Sequence, residues 1–416
     1  MKIAIIGSGI SGLTSAYVLR KSHDITLFEG NDYVGGHTHT VQVRSGSSSL
    51  NIDTGFIVFN DWTYPNFIRL LELLDVASAP SSMGFSISCE ATGYEYSGDS
   101  LSGLFAQRGN IFNPSHYRMI LDMIRFFRDG KRFLNSADEQ TSLDEFLHDN
   151  HYSERFVYKF IVPMMSAIWS ASPGTVSQFP AAHFLRFFRN HGLLNIRKRP
   201  TWRTVEGGSS QYVEKIKTLL GDRIRLNTPV KKIERQDTSI QLHLEGESPE
   251  SFDHVIVAAH SDQALNLLSD PSKPEREILG AIKYQDNEVV LHTDTKLLPA
   301  NKRAWSSWNY HLLEKGPERA VLTYNMNILQ GLHTDETYCV TLNNTRAIDP
   351  EKRVGSYKYS HPVHTPKVLD AQRKWGDISG KNRTHFCGAY WGYGFHEDGV
   401  NSALAVCEQF GQRLVE

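Results

Sequence analysis

Glycines at positions 7, 9 and 12, an acid at Glu29 and the Gly35-Gly36 pair have the types and spacing that point most directly to chemistry in this chain. That chemistry is the holding of a dinucleotide. Gly7 permits a tight turn after an apolar run, Gly9 leaves the backbone open to a pyrophosphate, and Gly12 lets a following helix pack closely on the strand before it. The amides that open this helix, from Ile10 and Ser11 onward, carry free N–H groups and a partial positive charge toward the phosphates. Glu29 stands where a ribose hydroxyl would donate to it, and an acid there disfavours a 2′-phosphate, so NADP is not expected.

The elements that must position these residues are readable around them. Lys2–Ile6 is too short and too apolar for anything but a strand buried on both faces, a helix is predicted from about Ile10 to Arg20, and Asp24–Phe28 reads as the second strand. Met1-Lys2 before apolar residues imitates a secretion signal, but three glycines break the would-be apolar core, and no stretch approaches the roughly twenty apolar residues of a membrane span. The expectation is a cytoplasmic protein, with peripheral contact at the inner face of the membrane as its variant. After a long excursion the pattern returns. A helix is predicted at about Gln211 to Leu220, then strands at Arg223–Leu226, Val230–Arg235, Ile240–Leu244 and Phe252–Ala259, then a last strand at Thr384–Cys387 and a helix from about Asn401 to Leu414. Between these lie an aromatic, helix-periodic region and a stretch, Lys283 to Leu342, that alternates like an antiparallel sheet. The predicted fold is therefore α/β: a Rossmann-like domain from segments 1–74, 204–265 and 381–416, interleaved with an α+β substrate domain from a helical segment 75–203 and a sheet segment 266–380.

Composition narrows the function classes. The chain has 416 residues and a net charge of −2, which leaves no general basic footprint for nucleic acid. Four scattered cysteines, Cys89, Cys339, Cys387 and Cys407, make neither a zinc pattern nor a disulfide framework, and no metal site is expected. The only short biased tract is a serine-rich turn at Ser45–Ser49.

Taken together, these segments resemble the flavin-containing amine oxidase and phytoene desaturase superfamily along essentially the whole chain. Within it, Ile52-Asp53-Thr54-Gly55-Phe56-Ile57-Val58-Phe59-Asn60 and Tyr64-Pro65-Asn66-Phe67 resemble a bacterial family of predicted NAD/FAD-binding proteins associated with cyclopropane-fatty-acyl-phospholipid synthases. The resemblance implies an FAD cofactor. It also implies that Gly7, Gly9 and Gly12 hold the pyrophosphate, Glu29 holds the ribose, and the backbone of Val230 recognises adenine. Gly35 and Gly36 would lie along the dinucleotide, with His37 where superfamily members usually carry arginine. Thr54, Gly55 and Phe56 would approach the isoalloxazine. In the run from Phe386 to Ala403, Gly388 would lie beside the pyrophosphate or ribityl chain, and Gly399, Val400 and Asn401 under the pyrimidine end as a helix begins. This last motif separates FAD from NAD.

A flavoprotein of this class needs a dry cleft and an oriented C–H bond more than an acid and base pair. Tyr390, Trp391, Tyr393 and His396 are the candidates to line the flavin, set against ordinary interface packing for the aromatics and a solvated turn for His396-Glu397-Asp398. Where amine oxidases of the superfamily often carry a lysine, the loosely aligned position here is Asn287. Cys387 falls at the pyrophosphate end, away from any covalent link to the isoalloxazine. His37-x-His39 and His361-x-x-His364 lack a third ligand. The stretches Tyr117–Phe133 and Ala182–Arg199 mix bulky apolar residues with cations, reading either as amphipathic helices on a core or as membrane-interface helices. The function implied is FAD-dependent removal of hydride from a methylated or cyclopropane-related acyl chain. Oxidation of a soluble amine and service as a non-catalytic flavin-binding partner of a lipid-modifying methyltransferase are the alternatives.

Overall fold

The computed structural model describes residues 1–46, 48–136, 138–169, 179–314 and 319–415. Ser47 of the predicted serine-rich turn, and residues 315–318 within the predicted antiparallel stretch, lie outside them.

Five parallel strands form the first sheet, in the order Ile224–Arg225, Asp24–Phe28, Lys2–Ile6, His254–Val257 and Thr384–Phe386. They come from three remote stretches of sequence. Ile5 pairs with Leu27 on one side and with Ile256 on the other, and Ile256 pairs with His385. Ile3, Ala4, Ile5, Val255, Ile256 and Val257 are fully buried, as unbroken apolar runs in a covered parallel sheet should be. One face is covered by the helix Ile10–Leu19, buried along its whole length, and by the helix His396–Gln409. Val230–Arg235, Ile240–Leu244 and Glu250–Phe252 form a small antiparallel sheet whose apolar side packs with Ala4, Phe28 and Val257.

A second sheet has seven strands in the order Arg353–Val363, Lys283–His292, Cys339–Leu342, Leu322–Asn325, Trp308–Leu312, Phe85–Cys89 and Tyr94–Ser97. All neighbours are antiparallel except Trp308–Leu312 with Phe85–Cys89. The predicted antiparallel stretch thus supplies four of the strands, and the nominally helical segment supplies two more. Beside them, Val58–Asn60, Trp202–Val205 and Ser78–Pro80 form a three-stranded ribbon where the chain crosses between sheets. The hairpin Thr40–Ser45 with Ser48–Asp53 packs Val43 and Ile52 against Val289, Leu291 and Val340 of the large sheet.

The helices Pro114–Phe133 and Ala181–Asn190 enclose an aromatic core in which Phe126 meets Phe156, Phe184 and Phe188 at ring-centroid distances of 5.5, 6.2 and 6.1 Å. Two boundaries differ from the sequence reading. The cationic stretch from Ala182 does not continue as a helix to Arg199: it stops at Asn190, because Gly192 takes φ +67° and a Cβ there would lie 2.6 Å from Pro200. The last helix begins at His396 rather than near Asn401, with Gly394 at φ +93° before it and Asp398 Oδ2 accepting from the Phe395 amide at 2.9 Å. Among the described residues no helix is long and apolar enough to cross a membrane.

Candidate functional site

The glycine turn has the geometry its spacing predicts. Gly7 sits at φ +100°, and a Cβ there would lie 2.8 Å from the Ala258 carbonyl oxygen. A Cβ on Gly12 would lie 1.9 Å from the Gly7 carbonyl oxygen, so the helix rests directly on the turn. Gly9 is different: a Cβ there meets nothing within 4 Å, and no side chain caps the helix that starts after it. The Gly35-Gly36 loop closes the other side, since a Cβ on Gly36 would come within 3.1 Å of Gly9 Cα. Two backbone loops therefore face each other across an open, uncapped helix N-terminus, a fit for a pyrophosphate.

Glu29 is buried beside this cradle. One carboxylate oxygen accepts from the Ser8 amide at 3.0 Å and its hydroxyl at 2.6 Å, and the other accepts from the Asn31 amide and side chain at 2.9 and 3.0 Å. The Thr228 amide donates to the Glu29 carbonyl and the Asn227 amide to the Asn31 carbonyl, which brings Thr228-Pro229-Val230 alongside.

The last motif joins the first. Ser11 Oγ donates to the Gly399 carbonyl, and the Gly388 amide donates to Ser402 Oγ, both at 2.9 Å. Val400 is fully buried in the core that also holds Ile10. Because the helix begins at His396, the Gly399 amide already bonds to the Phe395 carbonyl and Asn401 Oδ1 accepts from Asn66 at the surface. The free first-turn amides therefore belong to His396, Glu397 and Asp398, a correction to the reading that put them at Gly399-Val400-Asn401.

His396-Glu397-Asp398 is not a solvated turn. The His396 ring stacks on Phe56 at 3.4 Å between centroids, and its Nε2 lies 3.1 Å from Thr38 Oγ1 and 3.0 Å from the Tyr212 hydroxyl. Burial holds this imidazole neutral, well below its ordinary pKa. Glu397 accepts from the amides of Asn66 and Phe67 at 3.0 and 2.8 Å, capping the helix Pro65–Leu73 from a distant part of the chain. Asp53 plays the same part for the helix Ser210–Leu220. It accepts from the Ser209 amide and hydroxyl at 2.9 and 2.8 Å and from Thr40 at 2.6 Å, and burial nevertheless raises its carboxyl to about 6. Thr54 Oγ1 bonds His39 Nδ1 at 2.9 Å and the Tyr359 hydroxyl at 2.8 Å. Gly55 is small because a Cβ would lie 2.2 Å from the His37 carbonyl oxygen, so its size is demanded by the neighbouring chain itself.

The four candidate lining residues diverge. Tyr390 and Trp391 pack on each other and toward Ile282 and Val368, and the Tyr390 ring lies so close to Gly388 that a Cβ there would be 2.2 Å from its Cε1. Tyr393 joins the helical aromatic core, with its ring 4.6 Å from His183 and 5.5 Å from Phe187, and Phe395 stacks on Phe187 at 5.4 Å.

Sequence reasoning missed a ring of partly buried histidines and tyrosines. His37 lies 5.5 Å from His361, 5.9 Å from His260 and 5.2 Å from Tyr359, and His39 lies 4.8 Å from Tyr357. The two histidine pairs thus meet across the fold. The signal was the alternation Tyr357-x-Tyr359-x-His361, which turns all three to one face of a strand. His37 Nε2 is buried and has no partner, an open donor or acceptor beside the Gly-Gly loop. Burial pushes His37 down to about 3 and His361 to about 4, each lowered further by neighbouring histidines. Asn287, fully buried, reaches this ring: its Nδ2 lies 3.2 Å from His361 Nδ1 and its Oδ1 accepts from Asn343 at 2.9 Å. Among the described residues no group of three or more His, Cys, Asp or Glu is arranged to hold a metal ion.

With this geometry in place, the chain matches the family described as flavin containing amine oxidoreductase over residues 10–309. It belongs to that family, whose members are oxidoreductases, and FAD is the cofactor the family implies. The chain is 25% identical to the putative flavin-containing monoamine oxidase AofH of Mycobacterium tuberculosis over 289 residues, 65% of this chain and 60% of that protein. It is also 25% identical to amine oxidase [flavin-containing] A of Sus scrofa over 254 residues, 57% of this chain and 45% of the other. The match thus spans less than two thirds of either relative. Among solved structures, a redesigned putrescine oxidase aligns with a TM-score of 0.71 at 16% identity, covering 99% of this chain and 98% of that one. A fatty acid isomerase from P. acnes aligns at 0.69 and 15%, covering 98% of each. These likenesses establish the amine oxidase-like two-domain fold.

Proposed function

We propose that this protein is an FAD-dependent oxidoreductase that removes a hydride from a fatty acyl chain of a lipid, one carrying a methyl branch or cyclopropane ring, and leaves a double bond. Bound FAD supplies the two-electron acceptor for the hydride, and the accompanying proton leaves to solvent. Gly9 and the amides opening the helix at Ile10, Ser11 and Gly12 would hold the pyrophosphate. Glu29 would take the ribose, one of whose hydroxyls would displace a Ser8 or Asn31 donor, since all four acceptor positions of a carboxylate are filled here. The Val230 backbone would meet adenine. Gly36, His37 and Thr54 to Phe56 would face the flavin end, and His37 Nε2 is a neutral hydrogen-bonding group where relatives usually place a cation.

What supports the substrate class is the ring cluster of His183, Phe187, Tyr393 and Phe395, which would form one wall of the acyl path. The His183 imidazole is pushed down to about 4 by burial and, secondarily, by Arg373, so the wall is neutral and largely apolar at physiological pH. An alkyl chain loses little by leaving water for such a wall, whereas a protonated amine must be desolvated. Asn287, aligned loosely with the position where superfamily amine oxidases often carry lysine, favours the same reading.

Amine oxidation is the second reading, favoured by the curated relatives and by the affinity of aromatic faces for cations. Anaerobic mixing of the yellow protein with methylated or cyclopropane-bearing phospholipid, and separately with amines, tests both. Flavin bleaching by the lipid is expected, and bleaching by amines alone overturns it. In cells, a Gly9→Trp variant that preserves the lipid product would instead make the protein a non-catalytic partner of a lipid-modifying methyltransferase.

A further inference from the structure

The helix Pro114–Phe133 has two apolar faces, and the aromatic core uses only one. Met119, Met123 and Phe126 face inward. Tyr117, Leu121 and Ile124 recur at the spacing of one helical stripe and are 42, 57 and 48% exposed. The turn before the helix extends this stripe with Ile111 and with Phe112, which is 88% exposed; Ile111, Phe112, Tyr117 and Leu121 line one shallow depression. Scattered exposed hydrophobics are ordinary, but a contiguous patch of this kind on a helix marks an interaction surface.

The charges around the stripe say what it meets. The helix carries Arg118, Arg125, Arg128, Lys131 and Arg132 against only Asp122 and Asp129. Both acids point inward: Asp122, fully buried, takes Arg118 and Arg125 at 3.2 and 2.8 Å, and Asp129, 9% exposed at its side chain, takes Arg128 and Arg132 at 3.0 and 4.0 Å. The side chains of Arg118, Arg128 and Arg132 remain 53, 64 and 77% exposed, so the outward face is basic in a chain whose overall charge is −2. Lys131 Nζ also donates to Asn195 Oδ1 at 2.6 Å, tying the helix to the neighbouring exposed run Ile196-Arg197-Lys198-Arg199.

We infer that this face docks on the surface of an anionic phospholipid bilayer, with Phe112, Leu121 and Ile124 entering the acyl boundary and the flanking arginines meeting lipid phosphates. Apolar tips ringed by long cationic side chains are complementary to that boundary, where the stems bury and the charged heads stay at the phosphate level. The inference concerns where the protein works and stands on residues other than those of the proposed reaction, so it can fail or hold without it.

Flotation of the flavin-loaded protein with vesicles of phosphatidylglycerol and phosphatidylcholine, against vesicles of phosphatidylcholine alone, tests the surface. Binding to the anionic vesicles is expected. It should weaken as salt is raised and fall about tenfold or more in a Phe112→Ser/Leu121→Ser double variant. Both positions are exposed, and an unchanged flavin spectrum and melting temperature confirm that the variant folds; Arg128→Gln, tested alone, should give a smaller loss confined to low salt. The inference is overturned if the wild-type protein does not float with anionic vesicles or if the double variant binds equally well. It is also overturned if the wild type forms a dimer that the double variant does not, which would make the face a contact between copies.

Discussion

The Ser11 hydroxyl donates to the Gly399 carbonyl across 2.9 Å, and a Cβ on Gly399 would stand only 2.6 Å from Ile10 Cγ2. The backbone of the last helix therefore packs directly on the side chains of Ile10 and Ser11 at the point where the glycine turn opens. Loss of either glycine motif disturbs the other, and the site behaves as one unit built from both ends of the fold.

Gly9 and Gly12 should separate binding from folding. Gly9 has ordinary extended backbone and free space in front of it, so Gly9→Val should leave the stability of the flavin-free protein within about 0.5 kcal/mol while reducing bound flavin to a small fraction. Gly12→Ala forces a methyl group onto the Gly7 carbonyl and should cost about 1–3 kcal/mol of stability as well as the flavin. Thermal melting and the ratio of flavin to protein absorbance read both, and a Gly9→Val protein that retains full flavin would remove the pyrophosphate from this turn.

Glu397 is expected to act as a remote helix cap. Glu397→Ala should cost about 1–2 kcal/mol in chemical denaturation, because the amides of Asn66 and Phe67 lose their acceptors, and Glu397→Gln should recover part of the loss. Equal stability of the alanine variant and the wild type would return this residue to a solvated role.

Acid should destabilise the protein before its ordinary exposed carboxylates titrate. Burial lowers His37 and His364 to about 3, and His183 and His361 to about 4, from an ordinary 6.5. The unfolded chain therefore takes up protons first as pH falls below 6.5. Stability is lost from there down to the folded values, each imidazole adding a slope of up to about 1.4 kcal/mol per pH unit. Asp53 and Asp398, raised by burial to about 6, oppose this between roughly pH 4 and 6, since their contribution is lost as pH rises. With His191, His292, His311 and His385 also lowered to about 4 by burial, eight imidazoles against two carboxyls leave a net loss toward acid. Denaturation midpoints at a series of pH values measure it, and His183→Gln should flatten the curve; a midpoint that rises as pH falls through 6 contradicts the assignment.

Tyr393→Ala tests the apolar wall. The ring is only partly buried and touches His183 and Phe187. Its removal should leave flavin content intact and slow flavin bleaching by an acyl substrate roughly tenfold, as expected for loss of about 1.4 kcal/mol of positioning. Unchanged bleaching places the substrate elsewhere.

The parts of this fold that are legible in the sequence are those whose local pattern and final environment agree. The Lys2–Ile6 strand, the turn at Gly7 and the close helix at Gly12 read correctly because the unbroken apolar run, the positive φ at Gly7 and the contact of Gly12 with the Gly7 carbonyl all lie within the motif itself. The parts that escape are set by distant partners. His396 to Asp398 look solvated until Thr38, Tyr212, Asn66 and Phe67 are brought to them from elsewhere. The smallness of Gly55 has the His37 backbone as its cause, which no local pattern contains. Phe85–Cys89 has a hairpin partner close by in Tyr94–Ser97, but its place in the large sheet depends on Trp308–Leu312, far along the chain.

The first sheet also imposes an order of events on synthesis. Lys2–Ile6 and Asp24–Phe28 leave the ribosome before the rest of their sheet, which gains Ile224–Arg225, then His254–Val257 and finally Thr384–Phe386 as they emerge. Until then His254–Val257 has an unpaired edge, and the helix Ile10–Leu19 lacks the cover of His396–Gln409. The nascent chain must keep this edge from pairing elsewhere until Thr384–Phe386 emerges, a consequence of building a nucleotide site from segments remote in sequence.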